Sequence, residues 1–185
     1  RALDAVRGVA KSSDPATRSA AMIALARMGD ARVVELAKAG LGESDPRVKA
    51  ASAEALVLVD SPDRFKAVLA LFEDEGTTAA AIRLAERVSN EAIVAQLGAR
   101  ASKHPEHLVR LAALRALARS PDLLAVRSLL TLAQDPTVRF EAIHAMARSP
   151  HPSGMTAIEQ LLTSPPGIAK GPEADATRRL AARAY

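Results

Sequence analysis

Residues 44–56 read Ser-Asp-Pro-Arg-Val-Lys-Ala-Ala-Ser-Ala-Glu-Ala-Leu, and the chain repeats this phrase with variations. Residues 13–25 read Ser-Asp-Pro-Ala-Thr-Arg-Ser-Ala-Ala-Met-Ile-Ala-Leu, and residues 134–146 read Gln-Asp-Pro-Thr-Val-Arg-Phe-Glu-Ala-Ile-His-Ala-Met. Two weaker copies lie between them. Aligned on the residue that follows the Asp-Pro as a basic anchor, the copies place Arg18, Lys49, Thr77, Arg110 and Arg139 in register, at spacings of 31, 28, 33 and 29. Three residues after the anchor come Ala21, Ser52, Ala80, Ala113 and Ala142, all small. Seven after it come Leu25, Leu56, Leu84, Leu117 and Met146. One before it come Thr17, Val48, Gly76, Val109 and Val138. Offsets −1, +3, +7 and +10 (Met28, Val59) form one stripe of a helix. The third copy lacks both the proline and the basic anchor.

Second helical segments are predicted between the copies, at about 31–41, 62–73, 91–102, 122–133 and 153–163. Each has its own apolar stripe, such as Phe65, Val68, Leu69 and Phe72, or Leu124, Leu129, Leu130 and Leu132. Asp45-Pro46, Asp135-Pro136, Ser61-Pro62-Asp63 and Ser120-Pro121-Asp122 read as helix starts, with a capping side chain before a first-turn proline. Residues 2–10 look like the second half of a repeat that begins upstream, so the chain, opening at Arg1 without Met, reads as a piece of a longer protein. Three prolines and two glycines between Ser164 and Pro172 predict a loop over 164–172. Asp175-Ala176-Thr177-Arg178 then echoes the first copy, so 173–185 reads as a further repeat helix after an array over 1–163.

Composition supports helix packed on helix. Of 185 residues 49% are hydrophobic but only 2% aromatic, so alanine and aliphatic residues must build the core and backbones must approach closely. There is no cysteine, which excludes a disulfide frame, a thiolate-zinc site and a thiol nucleophile. No apolar run reaches the roughly 20 residues of a membrane helix, and no signal-peptide pattern is visible. A cytoplasmic location is the resulting expectation. The formal net charge of +4 permits an anionic partner without requiring one.

The pattern Asp-Pro-x-Val-Arg/Lys-x-x-Ala-x-x-Ala-Leu, with a leucine-rich helix between copies, resembles the HEAT repeat, nearest to the short bacterial variety first associated with phycobilisome lyases. The resemblance implies an all-α, right-handed α-α superhelix, a solenoid of about five antiparallel helix pairs plus a terminal helix. The motif helices would line its concave side. It also implies a ladder in which each anchor pairs with an aspartate at a motif-helix start, with Asp14/Arg18, Asp45/Lys49 and Asp135/Arg139 fitting and Thr77 breaking it. Junction 73–78 would then be a point of elastic bending.

No catalytic constellation, cofactor motif or metal site emerges. His104-Pro105-Glu106-His107 falls at a helix–helix turn with no second acid–histidine cluster to answer it, and reads as a solvated turn. Deoxyhypusine hydroxylases, which resemble this chain in fold, bind iron through His-Glu pairs. Phe140-Glu141 stands at that place here, and the other copies have Ser-Ala, Ala-Ala, Thr-Ala and Leu-Ala. HEAT-like DNA glycosylases hold their lesion with Trp, Tyr and Asp, whereas this chain has no Trp and its single Tyr is the terminal Tyr185. Glu73, Asp74 and Glu75 read as a cap at a helix junction.

The expected function is therefore a non-enzymatic scaffold for a protein or peptide partner. The face opposite the stripe, offsets +1, +5, +8 and +9, holds Glu54 and Glu86 in the middle copies. In the last two it holds Leu111, Arg115, Arg119, Phe140, His144 and Arg148, an apolar and basic set suited to an acidic or amphipathic segment. In the third copy the same reading puts Thr78, Ile82 and Ala85 outward. The alternatives are a nucleic-acid-binding array, or an accessory subunit of a lyase-type enzyme.

Overall fold

A computed structural model of the chain describes residues 2–163 and 172–184. Among these, twelve helices and no strands are found: α1 (Ala2–Val9), α2 (Pro15–Arg27), α3 (Val33–Gly40), α4 (Pro46–Leu58), α5 (Arg64–Leu71), α6 (Glu75–Ala85), α7 (Glu91–Lys103), α8 (His107–Arg119), α9 (Leu123–Leu132), α10 (Arg139–Ala147), α11 (Ser153–Thr163) and α12 (Pro172–Ala184). They fall into two compact units, residues 1–88 and 89–185. Within the first, α2 packs on α4 and α4 on α6, with α3 and α5 against them. Within the second, α8 packs on α10 and α10 on α12, with α7, α9 and α11 alongside. This is the alternation the sequence predicts: motif helices stack on motif helices, and the intervening helices form a second layer. The loop expected at 164–172 lies outside the described residues except for Pro172, which opens α12.

Several starts follow the capping logic. Asp14 and Asp45 are extended residues whose carboxylates accept from Thr17 N and Arg47 N, each followed by a first-turn proline. Other starts are displaced. Asp135 caps a tight turn through Thr137, and α10 begins only at Arg139. Pro62 and Pro121 precede their helices rather than opening them. Asp122 is the true cap of α9, while Ser61 and Ser120 accept from Asp63 N and Asp122 N in the turns before. Asp175 lies inside α12, which starts three residues earlier, and pairs with Arg178.

The core also corrects the register of the third copy. Asp74 caps α6, accepting from Gly76 N at 2.9 Å. Cap and anchor are four residues apart in the strong copies, so the anchor position is Thr78, not Thr77, and the spacings become 29 and 32. Thr77, Thr78, Ala81, Ile82 and Ala85 are accordingly buried, and Arg83 is exposed. Thr78, Ile82 and Ala85 thus lie inside, against the outward placement read from the sequence. The buried arc of the motif helices is also wider than the four-offset stripe. Met22, Leu114 and Ile143 at +4 are buried, as are Ala26, Val57 and Ala118 at +8, whereas Met28 at +10 is 46% exposed. A motif helix has a neighbour on each side as well as behind it, so more than one stripe must be apolar.

The anchor ladder takes a different form from the one expected. Arg18, Arg110 and Arg139 each reach back to the carbonyls of the turn before their own helix: Ser12 and Ser13, His104 and Pro105, Ala133 and Gln134. They cap the end of the preceding layer, whose last carbonyls lack helical partners. Lys49 reaches a following cap aspartate, Asp74, at 3.0 Å, while Arg18 pairs with Glu43. Junction 73–78 is thereby tied rather than broken, with Thr77 also donating to Leu71 O at 2.7 Å.

Four aspartates at these turns have carboxyls held below their ordinary range: Asp14 by Thr17, Asp30 by a forked bond from Arg7, Asp74 by Lys49, and Asp45, brought to about 2 by the Arg47 side chain and backbone N–H. A carboxyl depressed in the folded state contributes stability that is complete above its unfolded value, about 4, and is lost as pH falls through the folded value. The melting temperature is therefore expected to fall between about pH 4 and pH 2. Asp45→Asn should flatten that fall. A melting temperature constant from pH 5 down to 2.5 would contradict these assignments.

Candidate functional site

In the second unit α8 and α10 lie side by side, each joined to α9 by a short turn, so the two run in the same sense. Offsets +1 and +5 from their anchors therefore sit level with one another. Between the helices is an open groove of about 320 Å³. Five of the six candidate residues line it: Leu111 and Arg115 from α8, Phe140 and His144 from α10, and Arg148 at the α10 C-terminus. Arg119, one turn beyond Arg115, is exposed and does not line the groove.

Buried Leu114, Ala118 and Ala145 make the apolar floor. The sequence reading missed these three because it assigned the buried arc too narrowly; offsets +4, +6 and +8 carry the signal. It also missed Glu141, a half-buried acid in the lining. Phe140 is 51% exposed, unusual for a side chain this apolar, and its ring lies 4.4 Å from that of His144, centroid to centroid and tilted by 55°. Leu108, 76% exposed, continues the line Leu108–Leu111–Arg115 along α8. Neither the Arg115 nor the Arg148 side chain makes a hydrogen bond or ion pair among the described residues. Two guanidiniums are thus presented beside an apolar floor with no acid among the described residues paired to them.

The corresponding face of the first unit is different. There offset +5 is Glu54 on α4 and, in the corrected register, Arg83 on α6, and these two pair at 2.8 Å with Glu54 nearly buried. The cation on that face is already neutralised by the chain itself.

The histidine turn also departs from expectation. His104 is buried rather than solvated, and its Nδ1 accepts from Glu106 N at 3.1 Å, while His107 remains exposed. Among the described residues no group of three or more His, Cys, Asp or Glu is placed to hold a metal ion. Nor is any described helix long and apolar enough to cross a membrane.

Comparison with known proteins bears on the fold. The family model for HEAT repeats matches residues 3–78 and 94–184. A crystal structure of an engineered protein is similar over the whole of this chain and 96% of that one, at 22% identity and a TM-score of 0.54. Human deoxyhypusine hydroxylase, in complex with glycerol, aligns over the whole of this chain and 88% of that one, at 16% identity and a TM-score of 0.42. A comparison with curated proteins gives no match.

Proposed function

Because the chain belongs to the HEAT-repeat family, whose stacked helix pairs generally serve as protein-interaction scaffolds, we propose that it binds a protein partner through the α8/α10 groove. The occupant is a segment carrying apolar and acidic side chains. The single observation that carries this reading is that exposed Phe140 shares one groove with Arg115 and Arg148, two guanidiniums that no acid among the described residues engages. An aromatic side chain kept half in water costs hydration free energy that a partner's apolar contact recovers. An arginine offers a carboxylate two parallel N–H bonds. Together they are the usual composition of a binding hot spot. The apolar floor and Glu141 favour a peptide over a nucleic acid, whose phosphates gain nothing from the one and are repelled by the other.

An amide-resolved NMR titration with an acidic-apolar peptide tests this. Shifts are expected to cluster at 107–119 and 139–148. Arg115→Glu with Arg148→Glu is expected to weaken binding at least about tenfold with the helical circular dichroism unchanged, since both side chains are exposed. Shifts confined to other helices would refute the assignment. A steep linear loss of affinity with log salt, shared by oligonucleotides, would favour nucleic acid instead.

A further inference from the structure

Resting on that reading of the groove, we propose that its occupant is an extended strand with an apolar residue at position i and carboxylates at i+2 and i+4. The groove has a polarity. Leu111 and Phe140 make an apolar level, Arg115 and His144 a mixed level one helical turn on, and Arg148 a basic level two turns beyond Phe140. At 1.5 Å per residue those levels lie about 6 and 12 Å from the first. An extended chain rises about 3.3 Å per residue and points alternate side chains to one face, so i, i+2 and i+4 fall at about 0, 6.6 and 13 Å. The register therefore matches at three levels without bending either partner.

A helical occupant offers a similar rise at i, i+4 and i+8, and cross-section decides between the two. α8 and α10 pack directly on one another, with axes about 8–10 Å apart as is usual for packed helices. The furrow between them is therefore narrower than a helix of about 10–12 Å with its side chains and wider than a strand of about 5 Å. That is room for one row of side chains from an extended backbone. The spacing separates a sequence-reading site from a generic cationic patch. A patch responds to the number of carboxylates, whereas this groove responds to their spacing. Glu141 adds to the selection: it disfavours a segment whose acids crowd toward the apolar level.

The test uses three fluorescent peptides and the full chain. The first, Gly-Ser-Leu-Ser-Glu-Ser-Glu-Ser-Gly, has the alternating order. The second, Gly-Ser-Leu-Glu-Glu-Ser-Ser-Ser-Gly, has the same composition with contiguous acids. The third carries leucine and two glutamates at i, i+4 and i+8 in an alanine-rich helix. By anisotropy, the alternating peptide is expected to bind at least about threefold tighter than either other, with Phe140→Ala abolishing the advantage and Arg115→Glu/Arg148→Glu weakening all three. Equal affinities that remain sensitive to the charge reversal would overturn the strand register and leave the groove reading standing. Preference for the helical peptide would do the same. No saturable binding of any peptide up to about 1 mM would overturn both, as would tighter binding of a nine-residue oligothymidylate.

Discussion

Gly40→Ala is expected to lower the stability of the first unit by about 2 kcal/mol, and adding Ser52→Ala is expected to return most of it. Gly40 is the last residue of α3, where the helix-propensity gain of alanine is small. A Cβ placed there would overlap the Ser52 hydroxyl and come within 3.3 Å of Met22 Cε and Val48 Cγ1. The hydroxyl has little freedom to turn away, because it is fully buried and donates to Val48 O at 2.7 Å. Forcing an extra methyl into such a site moves side chains off their rotamers or the helices apart. Ser52→Ala removes the one atom that overlaps, at the loss of a hydrogen bond within its own helix whose acceptor carbonyl already serves the helix. Chemical denaturation of the four chains checks this. A Gly40→Ala chain as stable as the parent, or one not restored by Ser52→Ala, would show that α3 and α4 do not approach as closely as described.

Leu117→Ala is expected to cost the second unit about 3 kcal/mol. Leu117 is fully buried at offset +7 of α8, on the stripe that the motif defines, and its neighbours Ala113 and Ala116 are too small to fill the space left. An alanine-rich core gains its density from close backbones, and backbones relax less readily than side chains into a cavity. Denaturant midpoints measured against Leu108→Ala provide the contrast, because Leu108 is 76% exposed and its truncation should move stability by less than about 0.5 kcal/mol. Comparable losses at the two positions would mean that the repeat register of α8 is misplaced.

What the sequence made legible was the part dictated by repetition. Asp-Pro at 45–46, small residues at 52, 113 and 142, and leucines at 25, 56 and 117 each answer a packing requirement that recurs, and all fall where the repeat pattern puts them. The intervening helices follow from their apolar stripes to within about two residues at each end. The third copy was misread because Leu84 imitates the +7 leucine of its neighbours. The cap, Asp74, is what fixes a helix's phase, and counting from it puts Thr78 and Ile82 inside and Arg83 out. The anchors were misread in partner for a related reason. A sequence shows that a cation and an aspartate recur together, but not that the guanidinium folds back onto the turn carbonyls five and six residues before it, as in Arg110 and Arg139. His104 looked like a solvated turn residue because burial in a turn depends on the neighbouring layer, which local sequence does not encode. The groove residues stood out because they vary where the motif does not. That Glu141 joins them, and that Arg119 stands apart, depends on the facing of two helices and required their packing.

The central claim is that the α8/α10 groove recognises carboxylates through Arg115 and Arg148, and a charge swap tests it most directly. The parent chain and Arg115→Glu/Arg148→Glu are each titrated with the alternating peptide and with its counterpart bearing lysine in place of glutamate. The acidic peptide is expected to prefer the parent by at least about tenfold, and the lysine peptide to reverse the preference. Equal binding of the acidic peptide to both chains, with the variant's helical signal intact, would contradict it.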